Sequence, residues 1–81
     1  MKQDKRKLLP IDKIVAENIL RLRLEKKITQ HFIAEKLDIS FQQFQKYEKG
    51  MNRISVARLH AISIVFNTPV EYFFKESELK D

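Results

Sequence analysis

The 23 residues ITQHFIAEKLDISFQQFQKYEKG, at positions 28–50, decide the fold of this chain. Thr29 and Ser40 each precede a run in which apolar residues recur at helical spacing, so each is expected to cap a short helix. Asp38 stands where the chain must turn, because Asp tolerates the left-handed backbone conformation better than most residues. Gly50 is well placed to end the second helix. The stretch therefore predicts two short helices joined by a tight turn.

The second of these helices has two different faces. Phe44 and Tyr47 give it an apolar inner stripe, and its other faces carry Gln42, Gln43, Gln45 and Lys46. Gln and Lys near the start of a helix are suited to reading the edges of bases. Two short helices so close together and so differently decorated indicate a helix-turn-helix, whose second helix enters the major groove of DNA.

Three further helices complete an all-α fold. Asp12 is expected to cap a helix over about 13–27, and Ser55 a helix over about 56–66. Pro69 is expected to open a last short helix that contains Val70, Tyr72, Phe73 and Phe74, and no alternating pattern predicts a strand. The expected inner faces consist of Ile14, Val15, Ile19 and Leu22 in the first helix, Phe32, Ile33 and Leu37 in the second, and Val56, Leu59, Ile62, Val65 and Phe66 in the fourth.

Composition limits the classes of function. The 81 residues make one small domain without cysteine, which excludes disulfides and thiolate metal sites. The apolar runs fall short of the roughly 18 residues that a membrane span needs, so we expect a cytoplasmic protein with no membrane partner. The sequence shows no nucleophile with a partnered base, no metal cluster and no phosphate loop. No enzyme activity, cofactor or metal is therefore expected.

Positive charge is concentrated near the N-terminus. Lys and Arg outnumber Asp and Glu by 16 to 11, giving a net charge of +5 and a pI near 9.6. Residues 1–27 hold nine basic against four acidic side chains, whereas residues 28–81 are balanced. We divide the chain into a flexible basic arm (1–10), a helix-turn-helix domain (11–77) and a frayed tail (78–81). The surplus favours a polyanionic partner, and the arm is either a disordered tail or a segment that follows a DNA groove.

Four segments resemble the helix-turn-helix family of phage repressors, Cro proteins and related bacterial regulators, the XRE family. The resemblance covers roughly 14–74 and rests on ENILRLRLEKKITQ, IAEKLDIS, QKYEKGMNRIS and LHAISIVFNTPVEYFF, in that order. It implies a five-helix fold of the lambda-repressor type. Family members often carry Gly where this chain has Lys27, Asp38 and Asn67, so positive φ angles are expected there, with some strain at Lys27.

The resemblance also implies roles for individual residues. The positions that face the major groove are Phe41, Gln42, Gln43 and Lys46, where Gln suits adenine, Lys suits guanine and a phenyl ring suits a thymine methyl. Phe41 departs from the family, in which this position is more often polar, and a role in the core is the alternative. Phosphate contacts are implied for Gln30, Gln45, Lys49, Asn52, Arg53 and Ser55. Gln30 would also brace the third helix, and Arg23 and Glu48 match a structural ion pair between the first and third helices.

The expected function is that of a sequence-specific regulator of transcription, a repressor by default, that binds double-stranded DNA as a homodimer through its C-terminal helix. A helix this short cannot turn Tyr72, Phe73 and Phe74 all inward, so we expect Phe73 in the core and a neighbour near a two-fold axis. The alternative is an antitoxin-like or phage-encoded module whose main partner is another protein. An exposed stripe of Leu20 and Leu24 would favour that alternative. No sensor domain is recognisable, so no small-molecule effector is expected.

Overall fold

A computed structural model describes residues 8–76, which form four α-helices and a final 3₁₀ helix. These elements are α1 (Pro10–Glu25), α2 (Gln30–Leu37), α3 (Phe41–Glu48), α4 (Val56–Phe66) and the 3₁₀ helix Val70–Phe74. The absence of strands from this part of the chain confirms the all-α class. The fifth helix differs in type from the expectation, since its five residues form the short i→i+3 helix that is common at this length.

The first helix begins earlier than the sequence suggested. Pro10 occupies the first helical position, where its missing N–H costs nothing and its fixed φ suits a helix. Asp12 is therefore not the N-cap; it lies in the first turn and accepts a hydrogen bond from the Leu9 N–H at 2.7 Å. Leu9 and Pro10 were both assigned to the arm from the sequence, but Leu9 is the N-cap of α1 and Pro10 its first residue. Leu8 precedes the helix, while the rest of the predicted arm (1–7) and the predicted tail (78–81) lie outside the described residues.

The other three α-helices begin where the sequence predicted. The side-chain oxygens of Thr29, Ser40 and Ser55 each accept a hydrogen bond from the backbone N–H three residues later, at 3.0 Å. Each cap satisfies one of the amides that the first turn of a helix leaves unpaired, and contributes about 1 kcal/mol to stability.

Turns with positive φ end all four α-helices. The φ angles are 59° at Lys27, 60° at Asp38, 70° at Gly50 and 52° at Asn67, which confirms the expectation for each position. After each turn, a backbone N–H donates to the carbonyl five residues earlier, as from Ile28 to Arg23 at 3.1 Å. This closure satisfies carbonyls at the helix ends. Gly, Asp and Asn all adopt the left-handed conformation readily, so Lys27 is the one strained residue among the four.

The core draws on every helix. Its largest fully buried side chains are Ile19, Ile33, Phe44, Ile62, Phe66 and Phe73, which confirms the inward position of Phe73. Val56, expected in the core, is instead 87% exposed because it is the first residue of α4 and precedes the stripe that starts at Leu59. Phe32 is 44% exposed, with the Lys36 ammonium 5.3 Å from its ring centroid. The buried face of α2 therefore consists of Ile33, Ala34 and Leu37 and does not include Phe32.

A buried amide joins the 3₁₀ helix to α1. The Nδ2 group of Asn18 donates to the carbonyls of Phe73 and Lys75, each at 2.8 Å, while its Oδ1 accepts from Arg21. Carbonyls at the end of so short a helix lack partners of their own, and an amide supplies two donors at once. Asn18 therefore fixes the C-terminal element against the first helix.

A buried ion pair joins α1 to α3. The Nε and Nη2 atoms of Arg23 donate to the two carboxylate oxygens of Glu48, and the two side chains are 12% and 3% exposed. Arg23 also donates through Nη1 to the Ile28 carbonyl at 2.8 Å. This two-pronged pairing confirms the predicted ion pair and satisfies a carboxylate that has left water.

Replacing Glu48 by Ala should destabilise the fold by about 3–5 kcal/mol, because Arg23 would keep a buried charge without a counter-charge. Urea denaturation followed by circular dichroism measures the loss. The Arg23→Ala/Glu48→Ala double variant should lose less than the sum of the single variants. Strictly additive losses would show that the two side chains do not interact.

Replacing Asn18 by Asp keeps the shape of the side chain but aims a carboxylate oxygen at two carbonyl oxygens. The variant loses both donated hydrogen bonds and should be destabilised by at least about 2 kcal/mol in the same assay. Asn52→Asp is the matched control, because Asn52 is exposed and should tolerate the same chemical change. Equal, small effects at the two positions would contradict the structural role of Asn18.

Candidate nucleic-acid interface

The two helices of the motif are held in one fixed arrangement. The turn between α2 and α3 is closed by hydrogen bonds from Asp38 N–H to the Glu35 carbonyl and from Ile39 N–H to the Ala34 carbonyl. The Arg58 guanidinium donates to the Leu37 carbonyl at 3.0 Å, so α4 also holds the end of α2. Because these hydrogen bonds fix the turn, α3 keeps one orientation relative to α2, and its exposed side chains keep fixed positions.

The four predicted base-contacting residues divide into two pairs. Gln42 and Lys46 are exposed and lie one helical turn apart, so they share the outer face of α3. Gln43 is half-buried, and so is Phe41 at the first position of the helix. Gln42 and Lys46 are therefore the most exposed of the four side chains. Contact with bases stays a prediction for all four.

A chain of side-chain hydrogen bonds runs from the half-buried Gln45 of α3 to the buried ion pair. Gln45 donates through Nε2 to Gln30 Oε1 at 3.4 Å, and Gln30 donates through Nε2 to Glu48 Oε1 at 2.8 Å. The structure thus brings together two predicted phosphate contacts, and Gln30 braces α3 as expected. Each amide NH₂ carries a second donor, which can be directed outward to a phosphate.

The other predicted phosphate contacts lie between α3 and α4. Lys49 and Asn52 are exposed, and the first-turn amides of α4 follow them. Ser55 uses its hydroxyl oxygen as the cap of α4, which leaves its hydroxyl hydrogen as a donor. Arg53 is 47% exposed, and its Nε lies 3.3 Å from the Asp12 carboxylate. The structure therefore ties this loop to the start of α1, a contact that sequence reasoning missed.

Sequence reasoning also missed a pair of stacked rings. His31 of α2 and Phe41 of α3 have centroids 3.9 Å apart and planes only 4° from parallel. In sequence His31 indicates only a surface position, and nothing local pairs it with a residue ten positions away. The sequence feature that could have suggested the contact is that each residue lies in the first turn of one of the two helices of the motif.

Residues 8–76 contain neither a cluster of metal-binding side chains nor a membrane-spanning helix. No three His, Asp or Glu side chains in this range lie together as a metal site requires. None of its helices has the length and apolar character needed to span a bilayer.

Comparison with known proteins places the chain in a family. A helix-turn-helix family model matches residues 19–73. An uncharacterized HTH-type transcriptional regulator of Rhizobium meliloti is 43% identical over 77 residues, which are 95% of this chain and 55% of that protein. An uncharacterized transcriptional regulator in the ATPase CF(0) region of Rhodospirillum rubrum is 37% identical over 96% of this chain and 72% of its own length. The chain thus spans about half the length of the rhizobial relative.

Solved structures share the fold at lower identity. The SOS-response transcriptional repressor LexA from Eubacterium rectale superposes with a TM-score of 0.75 and 23% identity, over 100% of this chain and 81% of that chain. The restriction-modification controller protein C.AhdI from Aeromonas hydrophila gives a TM-score of 0.72 at 14% identity, over 76% and 94%. With the family model matching from α1 to the 3₁₀ helix, this chain belongs to the helix-turn-helix family of the XRE, lambda-repressor-like type.

Proposed function

We propose that this chain is a sequence-specific regulator of transcription that binds double-stranded DNA with α3 in the major groove. The observation that carries the proposal is the position of Gln42 and Lys46. Both side chains are exposed on one face of a helix that buried hydrogen bonds hold in place. Amide and ammonium groups at such positions can bond the edges of adenine and guanine. The curated relatives are themselves named as transcriptional regulators, which supports the proposal.

Phosphate contacts would fix the position of α3 along the duplex. Gln30, at the start of α2, is hydrogen-bonded to Gln45 in the second half of α3, while Lys49, Asn52 and the amides of the α4 start follow the C-terminal end of α3. Donors from three elements around a reading helix can bond the phosphate backbone and fix the orientation of the helix on the duplex. The proposed activity includes no catalytic step, cofactor or effector, takes place in the cytoplasm, and has repression by promoter occlusion as its default outcome.

Binding as a homodimer follows from the small size of a single reading surface. One recognition helix reads one half-site, whereas two copies on half-sites about one helical turn apart raise both affinity and specificity. Phe74 is 45% exposed and lines a groove of about 120 Å³ whose other lining residues are apolar except for Asp12. The apolar ones are Ile11, Val15, Ile54, Val56 and Leu59. A second copy of this chain is the proposed occupant of this surface, next to the C-terminal helix.

A protein-interaction module is the second candidate function. Leu20 and Leu24 are 37% and 59% exposed, one turn apart on α1. They form a short apolar stripe that a protein partner could cover, as an antitoxin-like or phage-encoded protein would require. Random-pool DNA selection separates the two functions, since such a module would enrich no sequence.

Replacing Gln42 by Ala should weaken binding to the selected duplex by about 1–3 kcal/mol and relax discrimination at one base pair. Binding to random DNA, and the dependence of affinity on salt, should barely change because no phosphate contact is removed. Fluorescence anisotropy over a salt series measures both quantities. Gln45→Ala is the matched control, since loss of a phosphate contact should weaken all sequences alike. Equal losses on selected and random DNA for Gln42→Ala would show that this side chain does not read bases.

Replacing Phe74 by Lys should dissociate the dimer, because it removes an exposed ring from the interface and places a charge among the apolar side chains of the groove. Analytical ultracentrifugation at micromolar concentrations compares the parent chain with this variant and with Tyr72→Lys. Leu24→Lys is the matched control and should leave the dimer intact. A parent that stays monomeric both free and on a duplex with two half-sites would refute dimerisation. A dimer lost only in Leu24→Lys would move the interface to the Leu20/Leu24 stripe.

A further inference from the structure

The stacked pair of His31 and Phe41 lies outside the core. His31 is exposed and Phe41 is half-buried, and neither belongs to the cluster of side chains that holds the helices together. Phe41 is the first residue of α3 and His31 the second of α2, so the pair bridges the starts of both helices of the motif. These starts are the ends that a helix-turn-helix brings toward bases and backbone.

Stacking places the Phe41 ring before any DNA arrives. With the imidazole of His31 3.9 Å away and nearly parallel, one face of the phenyl ring is covered. This contact restricts the two torsions by which a Phe side chain would otherwise move. A side chain ordered in advance loses less entropy on binding, so its contacts contribute more to affinity.

A phenyl ring can recognise only one feature of the major groove. It has no hydrogen-bond donor or acceptor, whereas every base pair presents donors and acceptors there. The 5-methyl group of thymine is the apolar feature of that groove. Against a pyrimidine without this methyl group, the ring would cover polar edges and gain no apolar contact in return.

We infer that the His31–Phe41 stack reads the 5-methyl group of a pyrimidine and so sets specificity at one position of each half-site. The inference rests on the proposed function, because it requires α3 to lie in the major groove. Thymine is preferred to cytosine at that position, and uracil is a poor substitute for thymine. Because 5-methylcytosine carries the same methyl group on the same ring atom, it binds better there than cytosine does.

The test removes one methyl group at a time. A duplex is first selected by the 81-residue chain from a random pool at fixed salt, and each thymine is then replaced in turn by deoxyuridine. At one thymine of each half-site the dissociation constant should rise about fourfold, which corresponds to about 0.8 kcal/mol for one methyl-sized group. At the same position, a 5-methylcytosine–guanine pair should bind more tightly than a cytosine–guanine pair by a similar factor.

Variants of the chain assign the effect to the stack. Phe41→Ala should bring the uracil-to-thymine ratio of dissociation constants close to one, and His31→Ala should reduce it. Phe32→Ala is the matched control, because Phe32 is an exposed aromatic of α2 whose ring contacts Lys36. His31 is exposed, so its truncation leaves the fold intact and tests the stack even where Phe41→Ala fails to fold, which circular dichroism detects.

The outcomes separate this inference from the proposed function. A chain that selects a duplex but binds its uracil forms equally well overturns the inference alone. A ratio that persists in Phe41→Ala assigns the methyl contact to another side chain, and a ratio unchanged in His31→Ala shows that the stack plays no part; either result overturns it. A chain that enriches no duplex overturns the proposed function, and the inference with it.

Discussion

The buried carboxylate of Glu48 is the constraint on which the arrangement of the first three helices depends. Taking a carboxylate out of water costs several kcal/mol unless charged and polar partners replace the water. Here those partners come from the end of α1, through Arg23, and from the start of α2, through Gln30. Since Glu48 is the last residue of α3, three helix ends must meet at one point. Hydrophobic contact alone is non-directional and would leave the rotation of α3 less defined.

A second polar contact fixes the position of the C-terminal 3₁₀ helix relative to α1. Asn18 lies on α1 five residues before Arg23, and its amide donates to the carbonyl of Phe73 in the 3₁₀ helix and to that of Lys75 just after it. The first helix therefore carries two anchors, one directed to α3 and one to the C-terminal helix. This arrangement couples the proposed DNA surface and the proposed dimer surface to a common support. A rigid link between them is what fixes the spacing of two reading helices in a dimer.

Features set by near neighbours in sequence could be predicted. The caps at Thr29, Ser40 and Ser55 and the left-handed turns at Asp38, Gly50 and Asn67 each depend on a few adjacent residues, and the structure has them where they were expected. The left-handed turn at Lys27 was expected only from the family resemblance. The ion pair of Arg23 with Glu48 came only from family resemblance. The hydrogen bond from Asn18 to Phe73 spans 55 residues, and the His31–Phe41 stack joins two separate helices. Neither contact could be predicted without knowing how the helices pack. The exposure of Gln42 and Lys46 agrees with the predicted reading face, while their contacts with DNA stay predictions.

Asp12 was correctly placed at the start of the first helix from the sequence, but it was wrongly expected to be the N-cap. An Asp before an apolar helical run suits either the N-cap or the first turn, and Pro10 decides between them because Pro favours the first helical position. In the first turn, the Asp12 carboxylate accepts from the Leu9 N–H and also pairs with Arg53. The loop proposed to bind phosphate is therefore held to the start of α1. The Asp12 carboxylate holds the Arg53 guanidinium in place and offsets part of its positive charge. A phosphate contact at Arg53 would therefore orient the duplex more than it adds affinity.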